Sequence, residues 1–151
     1  MNNKLYVVMP AYNEEANIEE TIKQWYPIVE KTGADSRLII VNDGSTDNTY
    51  KIIQKLHTKY LQLIPITKQN SGHGSTLLFA YKYCINAEAE YIFHTDSDGQ
   101  TNPEEFWQFW ENKHTYDFII GYRKRRQDGF SRIIVTRILR LIVYKMTTKK
   151  E

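Results

Sequence analysis

A single cysteine, Cys84, in 151 residues excludes an intramolecular disulfide framework and any Cys-rich zinc site. Seven glycines and four prolines are too few for a collagen- or silk-like fibre. No stretch approaches the roughly 18 apolar residues that a membrane span requires. A signal-peptide core is missing too: Leu5-Tyr6-Val7-Val8-Met9 is too short, and Pro10 and acidic residues follow it instead of a cleavage site. The expectation is a soluble cytoplasmic chain, or the soluble part of a longer one. What is present suits one domain with a real core, since 41% of the residues are hydrophobic and 25% charged. The net charge of +2 conceals a division. Residues 1–120 carry 10 Lys/Arg against 16 Asp/Glu, whereas residues 121–151 carry 10 against 2. Such asymmetry points to an anionic partner for the basic part.

The apolar pattern alternates between short runs and helical stretches. Leu5–Met9 reads as a strand, followed by a helical pattern from about Glu15 to Lys31. Arg37–Val41 is a second strand, ended by the turn signal Asn42-Asp43-Gly44-Ser45, after which Ser45 or Thr46 can cap a helix to about Tyr60. Leu61–Ile66 is a third strand, and Asn70-Ser71-Gly72-His73-Gly74 leads into a helix to about Asn86. Tyr91–Thr95 makes a fourth strand, closed by Asp96-Ser97-Asp98-Gly99. Pro103 suits the first position of a helix to about Lys113, and Phe118–Ile120 completes the series as a fifth strand. Strands alternating with helices predict an α/β fold, a mainly parallel sheet with helices on both faces. In such sheets the functional loops lie at the carboxyl ends of the strands.

The loops at that rim carry polar and acidic residues. Asp96, Asp98 and Gln100 stand two apart, so in an extended or turning loop their oxygens can converge on one side. Hard oxygen ligands suit Mg²⁺ or Mn²⁺, which share their remaining positions with water and substrate phosphates. The ordinary alternative is a solvated Asp-Ser-Asp-Gly turn. Asp43 can accept from the ring N–H of a nucleobase or from a ribose hydroxyl; otherwise it serves turn formation or a helix cap. Glu14 is either a pocket acid or a first-turn helix acid. Tyr12 is either a stacking platform or a core-edge aromatic. Arg123 can pair bidentately with a diphosphate, and Lys124, Arg125 and Arg126 extend a basic surface.

Val8-Met9-Pro10-Ala11-Tyr12-Asn13-Glu14-Glu15, Val41-Asn42-Asp43-Gly44-Ser45-Thr46-Asp47 and Asp96-Ser97-Asp98-Gly99-Gln100 together resemble the family-2 glycosyltransferases, in order, spacing and strand-end placement. The Asp-x-Asp-Gly-Gln form with the later Gly121-Tyr122-Arg123 looks most like the dolichol-phosphate mannosyltransferase and bacterial polyprenyl-phosphate glycosyltransferase branch. The resemblance implies a nucleotide-diphospho-sugar transferase (GT-A) fold over residues 1–125, truncated at its C-terminal end, with a basic amphipathic segment over 126–151. It implies that Pro10, Tyr12 and Glu14 line the nucleotide pocket and that Val41 and Asp43 hold the base. Asp96 and Ser97 would approach the ribose and diphosphate, Asp98 and Gln100 would hold Mg²⁺ or Mn²⁺, and Arg123 would meet the diphosphate. Gly72-His73-Gly74 departs from the pattern, because many relatives carry lysine between the glycines.

The implied reaction is transfer of a sugar, with inversion, from a nucleotide-diphospho-sugar donor to an acceptor. A metal on Asp98 and Gln100, with Arg123, would neutralise charge growing on the leaving diphosphate, which makes Asp98 and Arg123 the catalytic residues. A lipid-phosphate acceptor such as polyprenyl phosphate needs no general base, because its second pKa of about 6 leaves it largely ionised at pH 7. Arg132, Thr136 and Arg140 form a polar stripe beside Arg137, against Ile133, Ile134, Ile138, Leu141 and Ile142. Such a helix can make peripheral membrane contact at the cytoplasmic face, or pack on the rest of the protein. The acidic rim argues against nucleic acid. The competing readings are a non-catalytic nucleotide-sugar-binding or scaffold protein, a glycosyltransferase acting on a saccharide hydroxyl, and a nucleotidyltransferase.

Overall fold

A computed structural model describes residues 3–121 of the chain. The first compact unit runs from Met1 to Glu111. Its elements are β1 (Leu5–Ala11), α1 (Ile18–Thr32), β2 (Arg37–Asp43), α2 (Thr49–His57), β3 (Leu63–Lys68), α3 (His73–Asn86), β4 (Tyr91–His94), a 3₁₀ turn (Pro103–Glu105) and α4 (Phe106–Glu111). The four strands form one wholly parallel sheet in the order β3-β2-β1-β4.

The alternation of side chains along the strands divides the core into two layers. Leu5, Val7 and Met9 of β1 and Leu38 and Ile40 of β2 pack with Ile18, Ile22, Trp25 and Val29 of α1. Tyr6, Val8, Ile39 and Val41 point the other way and meet Ala80 and Cys84 of α3. Both central strands are therefore covered on both faces, which is why they read as unbroken apolar runs. At the β4 edge, Phe93 meets Trp25 and Phe106 with ring centroids 5.4 and 5.1 Å apart, in the tilted and edge-to-face arrangements that aromatic rings favour. Cys84 lies fully buried, and burial pushes its thiol up to about 12, leaving it protonated and inert.

α1 and α2 start later than the sequence pattern suggests, whereas α3 starts earlier, at His73 within the expected loop. α1 begins at Ile18 because Glu14 to Asn17 form a turn in which the Glu14 carbonyl accepts from the Asn17 and Ile18 N–H groups. Pro27 sits within α1 on its exposed side, where the helix runs through it. α2 begins at Thr49, and Ser45 and Thr46 are spent on a neighbouring loop instead of capping it.

From Asn112 onwards the chain belongs to a second unit. Its described part opens with a turn, Thr115 N–H donating to the Asn112 carbonyl at 3.0 Å. The expected fifth strand, Phe118–Ile120, forms no ladder with any described strand, and Phe118 and Ile120 are exposed. A short apolar run becomes a strand only when another strand accepts its hydrogen bonds, and the run itself does not specify that partner. Arg123 and the basic segment 126–151 lie outside the described residues.

Candidate active site

β1 lies between β2 and β4, so the loops leaving all three strands open on the same rim of the sheet. The loops after β1 and β2 are tied together residue by residue. Asn13 holds a left-handed backbone, φ 54°, which asparagine tolerates better than most residues. Its N–H donates to Ser45 Oγ (2.9 Å), and its Oδ1 accepts from the Thr46 N–H (2.9 Å). The Glu14 N–H donates to Thr49 Oγ1 (2.8 Å) and the Glu15 N–H to Asp47 Oδ2 (3.1 Å). Glu15 Oε2 in return accepts from the Asn48 N–H (2.9 Å). Burial works to raise the Asp47 carboxyl, but the hydroxyl and N–H of Thr49 and the Glu15 N–H outweigh it and hold it below its ordinary value.

Asp43, the last residue of β2, is almost entirely buried and makes an ion pair with Lys68, the last residue of β3. The two are register partners in the parallel ladder. The same carboxylate accepts from the Ser71 N–H (3.0 Å) and the Gly72 N–H (2.9 Å), which fixes the loop entering α3. Burial alone would raise the Asp43 carboxyl; Lys68, the Ser71 N–H and the Thr76 hydroxyl together bring it below its usual value. Gly44 follows with φ 67°, and a Cβ there would lie 2.7 Å from the Asn70 backbone nitrogen. Only glycine lets the Asn70 loop approach β2 so closely.

Beyond β4, the Thr95 N–H extends the ladder to the Val8 carbonyl at 3.1 Å. Ser97 is buried and donates through Oγ to the Pro10 carbonyl (2.8 Å), while its own carbonyl accepts from Thr21 Oγ1 (3.2 Å). Gly99 takes a positive φ of 73°, and the Gln100 N–H turns back to donate to Asp98 Oδ1 (3.0 Å).

The three loops and the start of α3 enclose an open cleft of about 490 Å³. Of the residues expected at the site, Pro10, Tyr12, Glu14, Asp43, Asp96, Ser97 and Asp98 line it. Tyr12 is half exposed, leaving its ring open to a ligand. Glu14 also serves its own turn, its carboxylate accepting from Asn17 Nδ2 (3.0 Å). Val41 is placed differently from the expectation: its side chain is fully buried in the layer against α3 and is not among the cleft lining, which Asp43 joins two residues further along β2. Gln100 is exposed and outside the lining.

Ala11, Asn70 and Thr76 join the lining without having been assigned a role, as do Gly72 and His73 of the glycine loop that departs from the family pattern. A signal for Lys68 was available, because it ends a strand as Asp43 does, but the adjacency of β2 and β3 had to be known to pair them. His94, at the end of β4, lies with its Nε2 3.9 Å from Asp96 Oδ1, and its ring is 6.2 Å from that of His73. Burial lowers the His94 imidazole below its ordinary value; Asp96 opposes this and His73 adds to it.

Glu14, Asp43, Asp96 and Asp98 put four carboxylates on the described lining, with no lysine or arginine among the lining residues. Lys68, the nearby cation, is committed to Asp43. The donor set is thus rich in hard oxygen, which fits Mg²⁺ or Mn²⁺.

The sequence model for "Glycosyl transferase family 2" matches residues 6–151. The chain belongs to this family. It is 26% identical over 149 residues to the undecaprenyl-phosphate 4-deoxy-4-formamido-L-arabinose transferase of Proteus mirabilis (strain HI4320), covering 96% of this chain and 44% of that protein. Among solved structures it resembles S. aureus TarS 1–349 in complex with UDP, at 25% identity and a TM-score of 0.62, over 83% of this chain and 38% of the other. It also resembles the mannosyltransferase PcManGT from Pyrobaculum calidifontis in complex with GDP-Man and Mn²⁺, at 23% identity and a TM-score of 0.56, over 63% of this chain and 27% of the other. This family-2 chain therefore has an α/β fold of the nucleotide-diphospho-sugar transferase (GT-A) type, and it spans less than half the length of these relatives.

Proposed function

We propose that this protein transfers a sugar from a nucleotide-diphospho-sugar to a lipid-phosphate acceptor of the polyprenyl-phosphate kind, with inversion and divalent-metal assistance. The observation that carries the reading is the convergence of Tyr12, Glu14, Asp43, Asp96, Ser97 and Asp98, from three separate loops, on one cleft at the carboxyl ends of the strands. Family membership and the UDP complex of the TarS relative support a nucleotide-sugar donor. The undecaprenyl-phosphate transferase relative supports the acceptor.

The residues divide the work by position. Tyr12 offers a ring face to the base, and Asp43, held ionised beside Lys68, accepts from a ring N–H. Asp96 and Ser97 border the ribose and diphosphate. Asp98 and Gln100 would hold Mg²⁺ or Mn²⁺, and Arg123, which lies outside the described residues, is proposed as the residue that would pair with the diphosphate. A bound divalent cation supplies the positive charge that the leaving diphosphate requires. This need is acute here, because a diphosphate entering the described cleft meets carboxylates and no lining lysine or arginine. The acceptor phosphate is already ionised at pH 7 and requires no base from the protein. The basic segment 126–151 would hold the cleft at the cytoplasmic membrane face. Among the described residues no helix is long and apolar enough to cross a membrane.

Calorimetry with UDP- and GDP-sugars, with and without Mn²⁺, followed by turnover on polyprenyl phosphate, tests the reading. Metal-dependent binding and turnover are expected, and Asp98→Ala should abolish the metal-dependent part of nucleotide binding. Binding without turnover on any acceptor would favour a nucleotide-sugar-binding role instead. An Asp98→Ala variant of unchanged affinity would remove Asp98 from the metal site.

A further inference from the structure

We propose that His73, His94 and Asp96 form a second metal site, selective for a borderline transition cation such as Zn²⁺, which shares the Asp96 carboxylate with the oxygen-rich cleft lining but not Asp98. One ligand atom from each of the three residues lies within 4.8 Å of the other two. His94 Nε2 and Asp96 Oδ1 stand 3.9 Å apart. With zinc–ligand bonds of about 2.0–2.2 Å, tetrahedral ligands stand roughly 3.4 Å from one another. The three groups therefore need to close by no more than about 1.4 Å at their widest, within reach of side-chain rotation. Both His94 and Asp96 keep side-chain freedom for this, at 31% and 48% exposure.

The backbone carrying these groups is fixed. His94 and Asp96 are two residues apart at the end of β4, where alternation sends both to the same side, and the intervening Thr95 is hydrogen-bonded to Val8. His73 opens α3, whose preceding residue Gly72 is anchored on Asp43. Tyr81 of α3 stands edge-on to the His94 ring, with centroids 6.2 Å apart. The N-terminal end of α3 by itself disfavours a cation, and the Asp96 carboxylate supplies the compensating charge.

Two imidazoles and one carboxylate select differently from carboxylates alone. Imidazole suits zinc, nickel and copper, whereas Mg²⁺ prefers oxygen and keeps its waters. Three protein ligands leave a fourth position open, the pattern of zinc sites that accept an exchangeable water or ligand oxygen. His73 and Asp96 both line the cleft, so that position borders the cleft.

The test is calorimetry of the full chain with ZnCl₂ alone, without nucleotide, so that its outcome does not depend on the proposed donor or reaction. One Zn²⁺ per chain is expected, undiminished by excess Mg²⁺. His73→Gln and His94→Gln should each weaken it at least about tenfold, since even the outer-shell partners of metal ligands are worth 10–100-fold. Asp98→Ala should leave it unchanged. Co²⁺ should give the strong visible absorption of a four-coordinate ion in the wild type and lose it in His94→Gln. Circular dichroism of each variant separates lost ligation from lost fold. Absence of Zn²⁺ binding, equal affinity in folded histidine variants, or a weak six-coordinate Co²⁺ spectrum would overturn the proposal.

Discussion

The ion pair between Asp43 and Lys68 supports a prediction with a definite size and sign. Their side chains are only 5% and 17% exposed, so removing one partner strands a charge that water reaches poorly. Breaking a buried pair in this way costs about 3–5 kcal/mol when nothing else compensates. Here the Ser71 and Gly72 N–H groups remain on the carboxylate, so Lys68→Met should cost less, about 2–3 kcal/mol. Asp43→Asn strands the ammonium instead and should cost a similar amount. Because each variant leaves the other group unpaired, Lys68→Met/Asp43→Asn should lose less than the sum, with a coupling of about 2 kcal/mol. Urea unfolding of the four proteins measures it.

The pH dependence supplies an independent check. The Asp43 carboxyl titrates below its ordinary value in the folded state. Its contribution is therefore fully present above the unfolded value of about 3.9 and is lost as pH falls through the lower folded value. The coupling should be flat from pH 8 to pH 5 and shrink in more acidic solution. A coupling under about 0.5 kcal/mol at pH 7, the range of exposed pairs, would refute the claim that this pair fastens β2 to β3 and the α3 loop. Growth of the coupling on acidification would refute it equally.

Gly44→Ala should destabilise by about 2–4 kcal/mol in thermal or urea unfolding, combining a left-handed backbone with a Cβ driven against the Asn70 nitrogen. A loss under about 1 kcal/mol would mean that the Asn70 loop yields freely. Asp47→Asn should cost about 1 kcal/mol at pH 7, since Asp47 serves both the start of α2 and the Glu15 N–H. Its carboxyl is lowered, so the difference from wild type should fade as pH falls through its folded value; urea unfolding at pH 7 and pH 3.5 compares the two.

The elements were legible in the sequence to differing degrees. β1 and β2 were clear because both faces are buried and the apolar run is unbroken. The beginnings of α1 and α2 were not, because Ser45, Thr46 and Asn13 look like local caps or turn residues, and their hydrogen bonds run between two loops over 30 residues apart in sequence. Phe118–Ile120 shows the opposite error, an apolar signal without a described ladder partner. Several residues expected at the site share the cleft because turn signals stand near the strand ends, although β2 runs through Asn42 and Asp43 before the turn begins at Gly44. Val41 lies in the α3-side layer of the core, and which of the two buried layers it joins depends on the face that α3 covers.

The sequence by itself determined the alternation of strands and helices, the ends of the four described strands to within about two residues, and hence which polar loops share a rim. These follow from local rules: side-chain period, turn residues and the acids that stand beside them. Tertiary structure alone decided the strand order β3-β2-β1-β4, which brings the loops of Tyr12 and Asp96 together across β1 and β4 and sets Lys68 against Asp43. It also brought His73 within reach of His94 and Asp96. Pairing between distant strands is selected by the burial of whole faces, a property of the packed layers and not of any single segment.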